Sequence, residues 1–352
     1  MGGSAAGQSS GGGSKSGSGG AAIAGDSTSG GAADSGGSGG SGGVVSTGCD
    51  CPAGQYCREG STDCFDCAKL NRLFFSAPER LATLSDSGTA SRFPRVGLTS
   101  TDLFYHSAGV GLRYTTDAST SAGSLVKGSL QQDRAPLLLN QDVSGIGLVT
   151  LTSFNFVYDR VVDAGRRQLL VGEWKSGLGT VEPLPAPFNS GTSDFSMAVA
   201  PRATDNIARG FWMTEQAAMT DSVGPSLVTA LFAANSPAMP VALNLGQAGC
   251  TPKDFSVQAD ADLAPWVTDD GKTLLVGTTR VDANCAPTAQ GKDIYTTLLQ
   301  ASSGQPTAPA VPMNDVNSAM DDVDPSFSTD LCDLYFASNR DGKFALYRAH
   351  RR

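Results

Sequence analysis

Histidine and tryptophan are scarce in this chain, at two and three of 352 residues. A serine hydrolase of the Ser-His-Asp kind needs a histidine to take the serine proton, and only His106 and His350 could serve. His106 falls inside a strand-like run with no identifiable partner, and His350 lies in a basic tail with Arg348, Arg351 and Arg352, so both read as structural. Charge is also sparse. Charged residues make up 17% and the net charge is −9, so there is no basic stripe of the kind that neutralises nucleic-acid phosphates. No run approaches the roughly 18 apolar residues of a membrane helix; the longest, such as Leu137-Leu138-Leu139, are strand-sized. Amphipathic helical periodicity longer than about two turns is missing too, which argues for an all-β chain.

Glycine is abundant but lopsided, since 18 of the 43 glycines lie in residues 1–47. This stretch is almost wholly Gly, Ser and Ala, without an aromatic residue, and cannot bury enough surface to offset the entropy of ordering. It reads as a disordered linker, with an end-to-end distance of about 35–40 Å by the random-coil rule. About 300 residues remain, enough for one large core or two modest ones.

Cys49, Cys51, Cys57, Cys64 and Cys67 crowd together, and Cys250, Cys285 and Cys332 come later, eight in all. An even count beside an export-like tail points to disulfides in an oxidising compartment. Zinc is the alternative for Cys64-Phe65-Asp66-Cys67, but no second CxxC or nearby histidine completes four ligands. Residues 48–70 are therefore expected to form a small disulfide knot. Five cysteines cannot all pair among themselves. Cys250 and Cys285 flank one repeat unit and make a natural pair, which leaves Cys332 for the knot.

Self-similarity is the strongest signal. Pro94-Arg-Val-Gly-Leu-Thr-Ser-Thr-Asp-Leu103, Pro265-Trp-Val-Thr-Asp-Asp-Gly-Lys-Thr-Leu274 and Pro325-Ser-Phe-Ser-Thr-Asp-Leu-Cys-Asp-Leu334 align without a gap. Each reads as proline at the first residue of a strand, a polar turn, and a second strand buried on both faces. A third strand is expected at Ser124-Leu125-Val126, Asp293-Ile294-Tyr295 and Ala345-Leu346-Tyr347, and a fourth at runs such as Pro136-Leu137-Leu138 and Pro240-Val241-Ala242. Two more degenerate units pass through Phe154–Val171 and Met197–Val228. Five four-stranded units at spacings of about 50–70 residues make a β-propeller over residues 71–352, with five blades favoured and six possible. The last unit ends after its third strand, so residues 80–84 are expected to supply its fourth and close the ring.

The run Asp324-Pro325-Ser326-Phe327-Ser328-Thr329-Asp330, then Leu334-Tyr335-Phe336-Ala337-Ser338-Asn339-Arg340-Asp341-Gly342, then Leu346-Tyr347, resembles the repeat of TolB-type, WD40-like propellers, whose form is D-x-x-P-x-F-S-P-D-G, L-x-F-x-S-x-R and D-I-Y. Thr329 stands where that family has proline and Leu331 where it has glycine. The resemblance spans residues 80–352 and implies a fold and a binding habit rather than a reaction. It implies a non-catalytic, exported binding or scaffolding module, docking a protein or cell-envelope partner at the channel mouth. No cofactor is expected. A lipid anchor upstream of the given start is expected by likeness to bacterial surface lipoproteins, which would place the chain in the periplasm, on the outer membrane surface or outside the cell.

Two chemical alternatives stay open. Asp321, Asp322 and Asp324 form an oxygen-rich run of the kind calcium favours, although turn capping is the preferred account of them and no metal is expected. The sharper alternative is a carbohydrate-active propeller. Five-bladed propellers occur among families that cut arabinan-type polymers, and glycosidases need paired carboxylates. Glu173 beside Trp174, and Glu215 near Trp212, are the candidates, each with an aspartate, for a polysaccharide substrate.

Overall fold

The computed structural model describes residues 51–352, apart from short stretches between elements and the longer segments 216–225 and 246–263. Five blades succeed one another around an axis. From the axis outward, blade I is Ser91–Val96, Leu103–Ser107, Gly111–Thr115 and Ser124–Leu125. Blade II is Ile146–Thr150, Phe154–Val161, Arg167–Trp174 and Leu178–Pro183, extended by a hairpin of Lys127–Leu130 and Pro136–Leu138. Blade III is Asp194–Thr204, Ile207–Thr214 and Ser226–Ala233, with Ser236–Pro237 and Val241–Ala242 on its outer edge. Blade IV is Trp266–Val267, Thr273–Val281, Pro287–Leu298 and Val311–Pro312. Blade V is Asp322–Phe327, Asp333–Ser338 and Ala345–His350, completed by Glu79–Arg80 from the start of the chain. The inner strands touch in sequence and the ring closes between blades V and I.

Each second strand is sandwiched between neighbouring blades and so carries apolar residues on both faces. The repeat leucines Leu103, Leu274 and Leu334 are all fully buried there. Apolar clusters fill the seams between blades: Val157, Leu169 and Trp212 between II and III, Phe211 and Leu274 between III and IV, Leu275 and Phe336 between IV and V, and Tyr105 and Leu346 between V and I. Gly277 marks one close approach, where an added Cβ would sit 3.0 Å from the Val323 backbone of the next blade.

Four sequence expectations are corrected. Pro94 and Pro325 do not open their strands but are the fourth residues in them. Each comes after a residue in the left-handed region, Phe93 at φ 54° and Asp324 at φ 58°, where the strand bulges and the ladder needs no N–H. Ser124–Leu125 is the outer strand of blade I, and its third is Gly111–Thr115. Pro136–Leu138 belongs to the hairpin on blade II rather than to blade I. The clasp strand is Glu79–Arg80, shifted back from residues 80–84, with the Leu81 N–H still donating to the Leu346 carbonyl at 2.8 Å. Leu81 and Leu84, three apart, fold into a turn that drops both side chains into the seam between blades V and I, and a straight strand would have sent one outward.

In the knot, Gln55–Cys57 pairs with Cys64–Asp66, and Cys51 is bonded to Cys64. Cys67 reaches the propeller and is bonded to Cys332. Arg351 backs this bridge, donating to the Cys67 and Lys69 carbonyls and stacking on Tyr56 and Phe75. No described cysteine is free; Cys49, Cys250 and Cys285 lie outside the described residues. Among the described residues no helix is long and apolar enough to cross a membrane.

Candidate functional site

The inner strands of blades I, III and V share one irregularity. Phe93, Ser196 and Asp324 all have positive φ, and two residues later regular pairing resumes at Arg95, Ala198 and Ser326. The bulge adds a residue to the inner strand and re-aims the side chains beyond it. Those side chains line a cavity of about 190 Å³ at the C-terminal ends of the inner strands. The lining includes Arg95 from blade I, Ala198 from blade III, Trp266 from blade IV and Ser326 from blade V. Arg95, Trp266 and Ser326 each come directly after the proline of the aligned repeat, so the position after that proline is the one the fold directs to the axis. That regularity was the available signal for three residues that motif reasoning did not single out.

Arg95 is only 3% exposed. It donates to the carbonyls of Pro94 at 2.9 Å, Pro325 at 3.0 Å and Pro265 at 3.0 Å, tying blades I, IV and V together at the axis. Burial pulls its pKa down to about 10, and the nearby Asp324 carboxylate offsets only part of that. The rim is built by two matching turns. In blade IV the Thr268 hydroxyl donates to Asp270 at 2.7 Å and accepts from the Thr273 N–H at 3.0 Å. In blade V Ser328 binds Asp330 and accepts from the Asp333 N–H at 2.9 Å. The third residue on is Gly271 at φ 68° in one turn and Leu331 at φ 62° in the other. Leu331 thus holds, in a residue ill-suited to it, the left-handed conformation that the repeat normally gives to glycine. Leu331, Thr329 and the exposed Asp269 also face the cavity.

The opposite end of the axis is built of ion pairs. Arg92 grips Asp324 with two hydrogen bonds, Nε at 2.9 Å and Nη2 at 3.2 Å, and Asp324 also accepts from the Phe93 N–H at 3.2 Å. Asp322 takes Arg340 and the Ser318 hydroxyl. Asp321 accepts from the Lys292 N–H at 2.9 Å and from Asn339 at 3.1 Å. The three carboxylates of the calcium alternative are therefore spent on three separate sets of partners. No cluster able to hold a metal occurs among the described residues.

The two candidate glutamates are not brought together. Glu215 is exposed, and its N–H donates to the Ser193 carbonyl beside the start of the inner strand of blade III, at the ion-paired end. Glu173 pairs with Asn155, which pairs with Val149 near the end of the inner strand of blade II. Its backbone is therefore at the cavity end, on the third strand. His106 is buried with its ring 6.4 Å from Phe93, and His350 lies on the clasp against Asp333 and Glu79.

No family model and no curated protein matches the chain. Among solved structures it is similar to an endo-arabinase from Bacteroides thetaiotaomicron, with 12% identity, a TM-score of 0.48, and coverage of 79% of this chain and 98% of that one. An α-L-arabinofuranosidase from Podospora anserina shows 10% identity, a TM-score of 0.46, and coverage of 80% and 97%. A TolB-like protein from Agrobacterium tumefaciens shows 12%, 0.41, and 74% and 76%. These are likenesses of fold. The expectation of a non-catalytic scaffold docking a protein partner is corrected here. Glycoside hydrolases stand among the solved structures similar to this chain.

Proposed function

We propose that this is an exported, carbohydrate-active propeller that takes a sugar at the cavity end of its axis. The observation that carries the reading is the lining of that cavity. Trp266 brings an aromatic ring to the lining, and Arg95, Ser326, Thr329 and Asp269 bring polar groups to it. A pyranose or furanose has that dual character, with an apolar face of C–H groups and a ring of hydroxyls, and sites for small polar ligands combine an aromatic wall with a few fixed polar groups. The volume is below the roughly 300–1,000 Å³ of pockets for drug-sized ligands, which fits one sugar unit or a chain end. The disulfides fit an oxidising compartment.

Glycosidic cleavage needs two carboxyl groups flanking the bond, one to protonate the leaving oxygen and one to act as nucleophile or base. Asp269 lines the cavity, and Glu173 is the notable glutamate on the same end of its blade. The reading assigns the pair to these two. The test is a thermal-shift and reducing-end assay of the oxidised protein on soluble arabinan, xylan and pectin. A shift with one polymer, with release of reducing ends abolished in Glu173→Gln and Asp269→Asn but not in Glu215→Gln, is the expected result. No shift and no release with any polymer would overturn the reading.

A further inference from the structure

We infer that the sugar this cavity selects carries a methyl group and turns it inward, towards a wall formed by Trp266, Phe327 and Leu331; the inference rests on the carbohydrate-directed reading above. The first ground is how the polar side chains of the lining are already used. The Thr268 hydroxyl donates to Asp270 at 2.7 Å and accepts from the Lys272 N–H at 3.2 Å and the Thr273 N–H at 3.0 Å, which uses its one proton and both lone pairs. Ser328 donates to Asp330 and accepts from the Asp333 N–H, and the Ser326 hydroxyl accepts from the Val96 N–H at 3.3 Å. Arg95 donates to carbonyl oxygens of three blades. Asp269 and Thr329 are the exposed polar residues of the lining and belong to the turns of the rim. A ligand hydroxyl pressed against the wall below that rim meets hydroxyls committed to the fold, and a buried hydroxyl short of a partner is costly. A methyl group at the same place needs no partner and removes apolar surface from water.

The second ground is Leu331. The matching turns of blades IV and V place Gly271 and Leu331 at one position, and both residues are left-handed, at φ 68° and φ 62°. Glycine takes that conformation freely and leucine does not. The fold therefore keeps at the cavity a side chain that the blade IV turn dispenses with, and strain of this kind gathers where a ligand is clamped. What leucine adds over glycine is apolar surface. Leu331 and Trp266 pack on the apolar cluster in the seam between blades IV and V, to which Phe327 belongs, and the rings of Trp266 and Phe327 lie 5.1 Å apart. All three residues line the cavity, so the wall is an extension of the core. A methyl group is the apolar substituent small enough for a cavity of about 190 Å³ that also takes the ring bearing it.

The test compares sugars that differ in that group, by calorimetry on the full oxidised chain. L-fucose and L-rhamnose are set against L-galactose and L-mannose, which carry a hydroxymethyl in place of the methyl. A second arm sets 3-O-methylglucose against glucose, so that a deoxy sugar is told from a methyl ether. The expected result is that the methylated sugar of one arm binds about 10- to 100-fold more tightly than its counterpart, the discrimination an apolar pocket reaches against an added hydroxyl. In Leu331→Gly that ratio should fall towards one; if this variant does not fold, Leu331→Ala should reduce the ratio without removing it. Leu334→Ala, a fully buried leucine outside the lining, should weaken the fold and leave the ratio unchanged. Equal affinities within both arms, or binding of arabinan, xylan or pectin with none of the methylated sugars bound, would overturn the methyl inference while leaving the carbohydrate reading intact. An unchanged ratio in folded Leu331→Gly would overturn the assignment of the wall. Absence of binding to every glycan would overturn both readings together.

Discussion

Arg92 and Arg95 sit three residues apart on one inner strand and are used in opposite ways. Arg92, at the far end of the axis, is matched to a carboxylate, stacks on Phe93 and Phe344, and helps lock blade V to blade I. Arg95, at the cavity end, is held by carbonyl oxygens and faces a pit. The bulge at Phe93 lies between them. Both arginines hold the ring, the first through a carboxylate and the second through main-chain carbonyls. The same strand therefore ends in an ion pair on one side and in a cavity on the other, and the difference can be probed end by end.

The largest effect is expected at the matched end. Arg92→Met takes from the buried Asp324 the guanidinium that grips it, and breaking a buried pair on one side costs about 3–5 kcal/mol. Chemical denaturation should show that loss with glycan affinity per folded molecule retained. A cost below about 1 kcal/mol would erase the distinction between the ends. Next comes the bridge from Cys67 to Cys332, which lies in the turn at the cavity end of blade V and closes a loop spanning 265 residues. The paired change Cys67→Ser with Cys332→Ser should lower stability by about 2–4 kcal/mol. Because Cys332 neighbours Leu331, glycan affinity should fall with it, unlike in Arg92→Met. A smaller effect is expected at Leu331. Replacing it by glycine removes left-handed strain of about 1–2 kcal/mol, which offsets lost packing, so Leu331→Gly should change stability by less than about 1 kcal/mol. Leu334→Ala, a fully buried leucine nearby with ordinary backbone, should cost about 2–5 kcal/mol.

The propeller was legible because its determinants repeat. The three aligned prolines, the leucines nine residues on and the polar turns between them recur, and the buried leucines stand where the alignment put them. The bulges were not legible. Pro94 and Pro325 looked like strand openings because proline without an N–H is equally content at a first residue and at a bulge, and only the positive φ before them decides between the two. The clasp was misjudged because Leu81-Ala82-Thr83-Leu84 suits a short strand or a buried turn, and the choice rests on a seam shared with blade V residues such as Val323 and Leu346, more than 200 positions away. The site was less legible still. Aspartates at 321, 322 and 324 drew attention as a cluster, yet each has its own partner. Arg95 drew none, because a lone arginine in a strand looks like a solvated face until its neighbours across the axis are known.

The smallest expected effect lies on the clasp, at the cavity-end corner of blade V. His350 is raised above its ordinary value chiefly by its hydrogen bond to Asp333 and by that carboxylate's charge. Glu79 adds to the rise, while burial and Arg348 oppose it. A histidine whose folded pKa exceeds its unfolded value of about 6.5 stabilises the fold fully below that pH, and the contribution fades as pH climbs through the higher folded value. The side chain is half exposed, so solvent weakens the gain. The melting temperature of the parent should therefore drop slightly more than that of His350→Gln as pH rises from 6 to 8. Salt should narrow the gap, because the groups involved are open to water. The ion pair at the far end behaves differently: its cation is an arginine, which stays charged throughout this range. If His350→Gln gave the same pH and salt dependence as the parent, the corner of blade V would be as insulated from solvent as the axis, and the contrast between a ring-holding end and a solvent-facing end would lose its support.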